Sequence, residues 1–272
     1  MQLKTLINKS WYGSIGYIKS VHTLEDLARY LLYNEQVLKE YQGIVVAYNC
    51  ADDVDASVKQ DVETLWTSFF KEKPVTVLFN SVNRGPNFGY CDLDDMIFEF
   101  CKQSSIKWLC KSADDMILMP QILDLEVDDD CDFYYTTSVG YSALYEPYKV
   151  TVEKVYDTDE YFYPQTNFYF IDVEKVDYLN DKDHVNEIYN HVQNIEGYNG
   201  KAWEYGFRGC EVLLKESVER SNLKAANLIT REVFAQLLVL IRNYKIVDPS
   251  HKQIMIQGIC HMPDLNEQII SI

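Results

Sequence analysis

The segment IKWLCKSADD (residues 106–115) joins a short apolar run to two adjacent carboxylates. Adjacent carboxylates repel each other, and at the end of a buried strand they are costly unless a cation or solvent compensates their charge. The pattern predicts a strand over residues 106–110 that ends at a polar edge. Either a cation or solvent must then compensate the charges of Asp114 and Asp115.

Strand-like and helix-like stretches alternate along the chain before this segment. Each predicted strand is short and nearly continuous in apolar residues, as expected when helices cover both faces of a sheet. Repeated strand–helix units indicate a parallel sheet. The strands are predicted at 14–19, 43–48, 74–79 and 106–110, and the helices at about 23–38, 57–70 and 93–101.

The pattern changes after Asp115. Further strands are predicted at 132–137 and 161–172, and helices at about 182–193, 208–222 and 229–243. The fold class that follows is α/β, with a mostly parallel central sheet flanked by helices over residues 1–118 and a mixed α/β half over residues 119–272. We expect the two halves to form one compact body.

Composition narrows the class of protein. The 272 residues carry a formal net charge of −17, so DNA or RNA would be repelled. The seven cysteines form no CxxC pair, which indicates a reducing compartment. The longest apolar stretch, residues 234–241, is too short to cross a bilayer, and the first residues lack an apolar leader. We therefore expect a soluble, cytoplasmic protein without a transmembrane segment.

Polar residues follow each of the four predicted strands, at the edge of an open α/β sheet where ligands bind. The stretches are GYIKS (16–20), VVAYNCADD (45–53), NRGPNFG (83–89) and KSADD (111–115). The sequence has neither a GxGxxG fingerprint after a strand nor a GxxxxGK[ST] loop. In this order the four stretches resemble the nucleotide-binding half of glycosyltransferases of the GT-A fold, particularly the family-2-like enzymes.

The resemblance implies a GT-A-like (Rossmann-like) fold and a site for a nucleotide-diphosphate sugar. Asp114 and Asp115 then correspond to a D-x-D motif that holds Mn²⁺ or Mg²⁺ against the diphosphate. The match is incomplete, because Ser112 stands where the common D-x-D-D form has its first aspartate. The alternative is that both aspartates only cap the turn before Pro120. The nucleotide-binding residues that the resemblance implies are Lys19, Asn49, Asp52, Arg84 and Lys111.

The second half carries the candidates for acceptor binding and catalysis. Gln165 and Asn167 lie in YFYPQTNFYFID (161–172), whose rings and amides suit sugar recognition but also suit an ordinary strand. By the resemblance to inverting family-2 enzymes, Glu211 is the base that deprotonates the acceptor if the sugar is transferred with inversion, and transfer with retention is the open alternative. A carboxylate is also favoured there by the start of a helix alone. His261 is the late histidine that, by the resemblance, completes the metal site.

The function implied is transfer of a hexose or related sugar from a UDP- or GDP-sugar to a hydroxyl group on a glycan or other acceptor. Two alternatives are open. A non-catalytic carbohydrate-binding or assembly protein on a transferase scaffold would account for the departure at Ser112. A sugar nucleotidyltransferase also uses metal and carboxylates on a similar sheet, but GSIGYIKS (13–20) is a poor version of the Gly-rich basic loop it needs.

Overall fold

A seven-stranded sheet is the centre of the part of the chain that the computed structural model describes, which is residues 1–20, 22–114, 116–118, 120–137, 164–228, 255–256 and 259–261. The helices in these residues are α1 (Leu3–Ile7), α2 (His22–Leu38), α3 (Ala56–Phe69), α4 (Gly85–Gln103), α5 (Lys182–Val192) and α6 (Cys210–Arg220). The strands are β1 (Ser10–Ile18), β2 (Gly43–Cys50), β3 (Val75–Phe79), β4 (Trp108–Ala113), β5 (Met116–Leu118), β6 (Phe133–Thr137), β7 (Pro164–Asp172), β8 (Ala225–Asn227), β9 (Met255–Ile256) and β10 (Ile259–His261).

The strand order in the described sheet is β3-β2-β1-β4-β7-β6-β8. The first four strands are mutually parallel, β7 is antiparallel to both of its neighbours, and β8 is parallel to β6. The predicted α/β class, with a mostly parallel central sheet, is therefore confirmed. Because β4 pairs directly with β7, the sheet runs unbroken from the first half of the chain into the second.

Helices cover both faces of this sheet. Leu6, Leu31 and Trp66 bring α1, α2 and α3 onto one face, where they pack against side chains such as Tyr12 and Val46. On the other face, α4 and α6 pack against Val45, Leu109 and Ile171. A smaller apolar cluster joins the start of α4 to α5 and α6. The nearly continuous apolar strands thus have the two-sided burial that their composition predicts.

The start of α4 differs from the sequence-based expectation. The helix was expected at about 93–101, but it begins at Gly85 with Pro86 in its first turn. Proline fits the first turn of a helix because the amide it lacks has no helical partner there. Asn87 and Gly89, which are residue types common in turns, therefore lie inside the helix.

The chain beyond β8 is described only in part. The helix expected at 229–243 lies outside the described residues. The short strands β9 and β10 form a separate three-stranded antiparallel sheet with β5. Of the helices that are described, none is long and apolar enough to cross a membrane. The division of the chain at residue 118 stays a prediction.

Candidate functional site

Four parallel strands present their carboxyl ends at one edge of the sheet. Lys19 follows β1 and Asp52 follows β2, and both side chains are exposed. Asn80 follows β3, and Asp114 follows β4. The strand β4 ends three residues beyond the end that the sequence predicts. Lys19, Asp52 and Asp114 therefore lie at a common edge, and their part in ligand binding stays a prediction.

Asp114 lies directly over Gly16 of β1. A β-carbon at position 16 would collide with Asp114 Oδ2 and would lie 2.7 Å from Cε1 of Tyr48. Burial, and then the nearby Asp114 carboxylate, hold the pKa of Tyr48 well above its usual value. Gly16 thus makes room for a carboxylate beside two neighbouring strands at the sheet edge.

The other two predicted metal ligands are described less completely. Asp115 lies outside the described residues, and so does the side chain of His261. The backbone of His261 pairs with Met116 across β5 and β10, so it lies opposite a residue two positions after Asp114. Carboxylate oxygens suit Mg²⁺, and carboxylates with an imidazole suit Mn²⁺, so the donor set fits the predicted ions. Among the side chains that are described, no three His, Cys, Asp or Glu residues come together as a metal site.

Ser112 lies inside the sheet, where an aspartate would be costly. It pairs with Ser14 of β1 and with Phe168 of β7, and its side chain is fully buried. An aspartate there would lose its hydration, whereas the hydroxyl of Ser112 donates to the carbonyl of Ala113 at 3.2 Å. The departure from the D-x-D-D pattern therefore has a local structural reason.

Asn49 is buried and joins three elements. Its amide donates to the carbonyl of Gly89 in α4 at 3.1 Å, and its Oδ1 accepts from Asn80 Nδ2 at 2.9 Å. These bonds fasten the start of α4 to the ends of β2 and β3. Asn49 thus has a packing role at this edge. Asp52, the other residue expected near the nucleotide base, is exposed.

Arg84 joins α4 to α5. Its guanidinium makes two hydrogen bonds to Asp92, with Nε at 2.8 Å from Oδ2, and donates to Asn186 Oδ1 at 2.8 Å. It also lies 4.8 Å from the ring centroid of Tyr189. The fork that was expected to bind phosphate is therefore occupied by side chains of the protein.

Lys111 is buried among side chains on the α4 face of the sheet. Its ammonium lies 3.3 Å from Asp94 Oδ1, donates to the carbonyl of Thr166 at 2.5 Å, and donates to the hydroxyl of Tyr90. Burial raises the pKa of Asp94 to about 6, although the Lys111 charge opposes the shift. Lys111 therefore neutralises a buried carboxylate and ties β4 to β7 and α4.

Glu211 lines a cavity of about 300 Å³ between α4, β7 and the start of α6. Its Oε1 accepts a hydrogen bond from Thr166 Oγ1 at 3.1 Å. Thr166 belongs to the polar centre of YFYPQTNFYFID that the sequence indicates as site-facing, between Gln165 and Asn167, whose side chains are not described. Other residues that line the cavity are Asn87, Tyr90, Trp203, Phe207 and Arg208.

The cavity and Asp114 belong to the same edge of the sheet. Ser112 of β4 is paired with Phe168 of β7 in the antiparallel register. Asp114 follows Ser112 by two residues, just beyond β4, and Thr166 precedes Phe168 by two residues in β7. Thr166 carries the hydrogen bond to Glu211. The Asp114 carboxylate lies over Gly16 and beside Tyr48, on the face that α2 and α3 cover, whereas Glu211 lies with Tyr90 and Thr166 on the face that α4 covers.

Comparisons with known proteins give likenesses in structure alone. No family model matches the chain, and no curated protein is similar to it in sequence. One similar structure is the mannosyltransferase Ktr4p from S. cerevisiae, with a TM-score of 0.43, 9% identity, and coverage of 82% of this chain and 69% of that one. Another is the mannosyltransferase PcManGT from Pyrobaculum calidifontis in complex with GDP-Man and Mn²⁺, with a TM-score of 0.39, 8% identity, and coverage of 61% and 45%. A glycosyltransferase involved in glycosylation of the major capsid of PBCV-1 has a TM-score of 0.38, 9% identity, and coverage of 80% and 79%.

Proposed function

We propose that the protein is a metal-assisted glycosyltransferase that moves a sugar from a UDP- or GDP-sugar to a hydroxyl group of a glycan or another acceptor. The observation that carries the proposal is that Asp114, after β4, and the Glu211 cavity, beside the start of β7, both lie at the end of the sheet where the parallel strands have their carboxyl ends. Glycosyl transfer needs both features, because one group must stabilise a departing diphosphate and another must accept a proton from the incoming hydroxyl.

The donor side of the site is assigned to the strand ends. Asp114 and Asp115, with His261, would hold Mn²⁺ or Mg²⁺, which supplies positive charge to the diphosphate as the glycosidic bond breaks. Lys19 and Asp52 are exposed at this edge, so we assign them to the phosphates and the base. Asn49, Arg84 and Lys111 instead hold the frame of the site through the contacts described above.

The acceptor side is assigned to the cavity. Glu211 Oε1 is held by Thr166, so the carboxylate has a fixed position beside the space that the acceptor would occupy. In this role Glu211 takes the proton of the attacking hydroxyl as the sugar is transferred with inversion. Gln165 and Asn167, on either side of Thr166 in β7, are assigned to acceptor binding.

The proposal is tested by thermal unfolding in the presence of UDP, GDP and their sugars, with and without Mn²⁺. We expect one nucleotide series, at about 100 times its Kd, to raise the Tm by roughly 5 °C, and only when the metal is present. Asp114→Asn should abolish this metal dependence, whereas Asp61→Asn, on the exposed side of α3, should retain it. A protein that responds to no nucleotide under any of these conditions is not a glycosyltransferase.

A carbohydrate-binding protein without catalysis is the second candidate. It is favoured by the engagement of Arg84 and Lys111 with Asp92 and Asp94, which leaves fewer basic groups for a diphosphate. Release of free UDP or GDP from a donor sugar distinguishes the two functions, because a binding protein does not cleave the donor.

Free thiols are consistent with the cytoplasmic location that we propose. All six cysteines with described side chains are free, and five of them are buried. Disulfides are rare in reducing compartments, where buried cysteines act as small apolar residues.

A further inference from the structure

Trp203 is a large apolar side chain left open to solvent at the Glu211 cavity. Its exposure is 61%, whereas Trp66 and Trp108 are buried and Trp11 is half-buried. An indole exposes a broad flat apolar surface, and leaving such a surface in water forgoes the free energy that its burial would give. At the wall of a cavity it is a natural contact for a ligand.

The segment that carries Trp203 is held firmly in place. The neighbouring Ala202 is buried, and its carbonyl accepts from the amide of Phe207 at 3.1 Å. The ring of Phe207 packs against Phe88 of α4 at a centroid distance of 4.9 Å. Asn87 Nδ2 also donates to the carbonyl of Gly200 at 2.9 Å, just before this segment. The indole is therefore presented by a preorganised support, which lowers the entropy cost of binding.

Polar groups surround the indole on the cavity wall. Glu211 is fixed by Thr166, and Arg208 is fixed by Glu216 at 2.6 Å and by Asp181 at 3.1 Å. A pyranose ring has a flat face of C–H groups and a rim of hydroxyls, so it matches an aromatic surface beside charged and hydroxyl groups. A purely apolar ligand would displace water from Glu211 and Arg208 without replacing the hydrogen bonds that this water makes.

We propose that Trp203 is a stacking platform for a hexopyranose ring of the acceptor, which lies across the indole with a hydroxyl directed to Glu211. The assignment of this ring to an acceptor rests on the proposed transferase function. The recognition of a pyranose by Trp203 rests on the cavity alone. The acceptor class is therefore a glycan or glycoside.

Quenching of tryptophan fluorescence by acrylamide tests the platform directly. The exposed Trp203 dominates the quenchable signal, because the other three indoles are buried or half-buried. A panel of methyl glucosides, galactosides and mannosides, raised to about 100 mM to exceed a millimolar Kd, should include at least one that protects the indole. Cyclohexanol, which has the apolar ring without the hydroxyl rim, should not protect it.

Three variants make the result specific. Trp203→Phe keeps a flat ring but removes the protected signal, and Trp203→Ala should weaken glycoside binding measured by calorimetry about tenfold. Tyr33→Ala removes an exposed aromatic ring of α2 that does not line the cavity and should leave binding unchanged. No protection by any glycoside, equal protection by cyclohexanol, or protection that persists in Trp203→Phe overturns the proposal.

Nucleotide binding separates this inference from the proposed function. Stabilisation by a nucleotide and Mn²⁺ should be the same in Trp203→Ala as in the parent protein. Nucleotide binding without glycoside protection refutes the platform and leaves the transferase. Glycoside protection without nucleotide binding refutes the transferase and leaves a carbohydrate-binding site.

Discussion

Lys111 and Asp94 form an ion pair deep within the protein. Their exposures are 1% and 5%, and Nζ lies 3.3 Å from Oδ1. Desolvation of two such charges is costly, and the hydrogen bonds from Lys111 to Thr166 and Tyr90 offset part of that cost. Removal of one partner leaves the other buried without compensation, so the pair is more sensitive to single substitutions than to joint replacement.

The first prediction concerns this pair. Lys111→Met should lower the free energy of unfolding by about 3–5 kcal/mol, because Asp94 then lies buried without its counter-ion. Adding Asp94→Asn should recover a substantial part of the loss. Urea denaturation of the single and double variants measures the coupling.

Lys107→Met is the matched control. Lys107 is exposed and lies 3.7 Å from the buried Asp172, which keeps the hydrogen bond from the amide of Glu174 when Lys107 is lost, so the loss should cost less than about 1 kcal/mol. Equal costs at positions 107 and 111 would contradict the buried pair.

The second prediction concerns Asp95, the neighbour of Asp94 in α4. Burial raises its pKa to about 7, although Asn180 donates to its Oδ1 at 3.0 Å and Lys182 lies nearby. An unfolded aspartate titrates near 3.9, so between these values the folded state holds a proton that the unfolded state has lost. The contribution of Asp95 to stability is therefore fully present below pH 4 and is lost as the pH rises through about 7.

Asp95→Asn should remove this dependence. Relative to the parent protein, the variant should become more stable as the pH is raised from 4 to 7, by about 1–3 kcal/mol over that interval. Urea denaturation at several pH values measures the difference. Asp61→Asn, at an exposed site, is the control, and a constant difference across the interval would contradict the raised pKa.

Gly89, near the start of α4, lies in close contact with the side chain of Asn49 in β2. A β-carbon at Gly89 would lie 2.6 Å from Nδ2 of Asn49, which donates to the carbonyl of Gly89. Helix propensity alone would make Gly89→Ala stabilising by about 1 kcal/mol. The third prediction is that it instead destabilises the protein by about 1–3 kcal/mol, because Asn49 is displaced from a buried hydrogen bond.

In the Asn49→Ala variant, the effect of Gly89→Ala on the stability of the protein should have the opposite sign. With the amide removed, alanine at position 89 meets no close side chain from β2, and the propensity gain of about 1 kcal/mol should appear. Thermal or urea unfolding of the four proteins of the cycle measures both signs. Stabilisation by Gly89→Ala in the parent protein would show that the contact does not constrain the helix.

Periodicity predicted the elements whose sequence is dominated by burial. The strands β2 and β3 and the helix α3 lie within two residues of their predicted bounds. It failed at α4, because glycine and asparagine normally favour turns, while here they are used for a helix start and for a contact with β2. Such contacts join residues far apart in sequence, so no local pattern reports them.

The candidate site shows the same division. The positions after β1, β2 and β4 were predicted because strand ends follow from local patterns. The partners of Arg84 and Lys111 were not predicted. Each is paired with an aspartate of α4, and these aspartates belong to an ordinary amphipathic pattern that gives no sign of a partner. Trp203 lies in a short 3₁₀ segment whose exposure only the tertiary structure reveals.

At the scale of the whole molecule, one sheet edge collects groups from both halves of the chain. Asp114 comes from the end of β4, and Glu211 comes from the start of α6 and is held through Thr166 at the start of β7. The reversal of β7 is what makes this possible, because its first residues lie beside the last residues of β4. Substitutions at Asp114 and at Glu211 should therefore affect the proposed donor side and the proposed acceptor side separately.

The fourth prediction is that the two carboxylates fail in different ways. Glu211→Gln should lower kcat by about 10²–10⁴-fold, because an amide cannot accept the acceptor proton, while nucleotide and Mn²⁺ still stabilise the protein. Asp114→Asn should instead lose the metal-dependent stabilisation itself. Glu219→Gln, an exposed carboxylate of the same helix α6, should leave both properties unchanged. Steady-state kinetics with thermal unfolding measure the two effects, and full turnover in Glu211→Gln would assign the base to another residue.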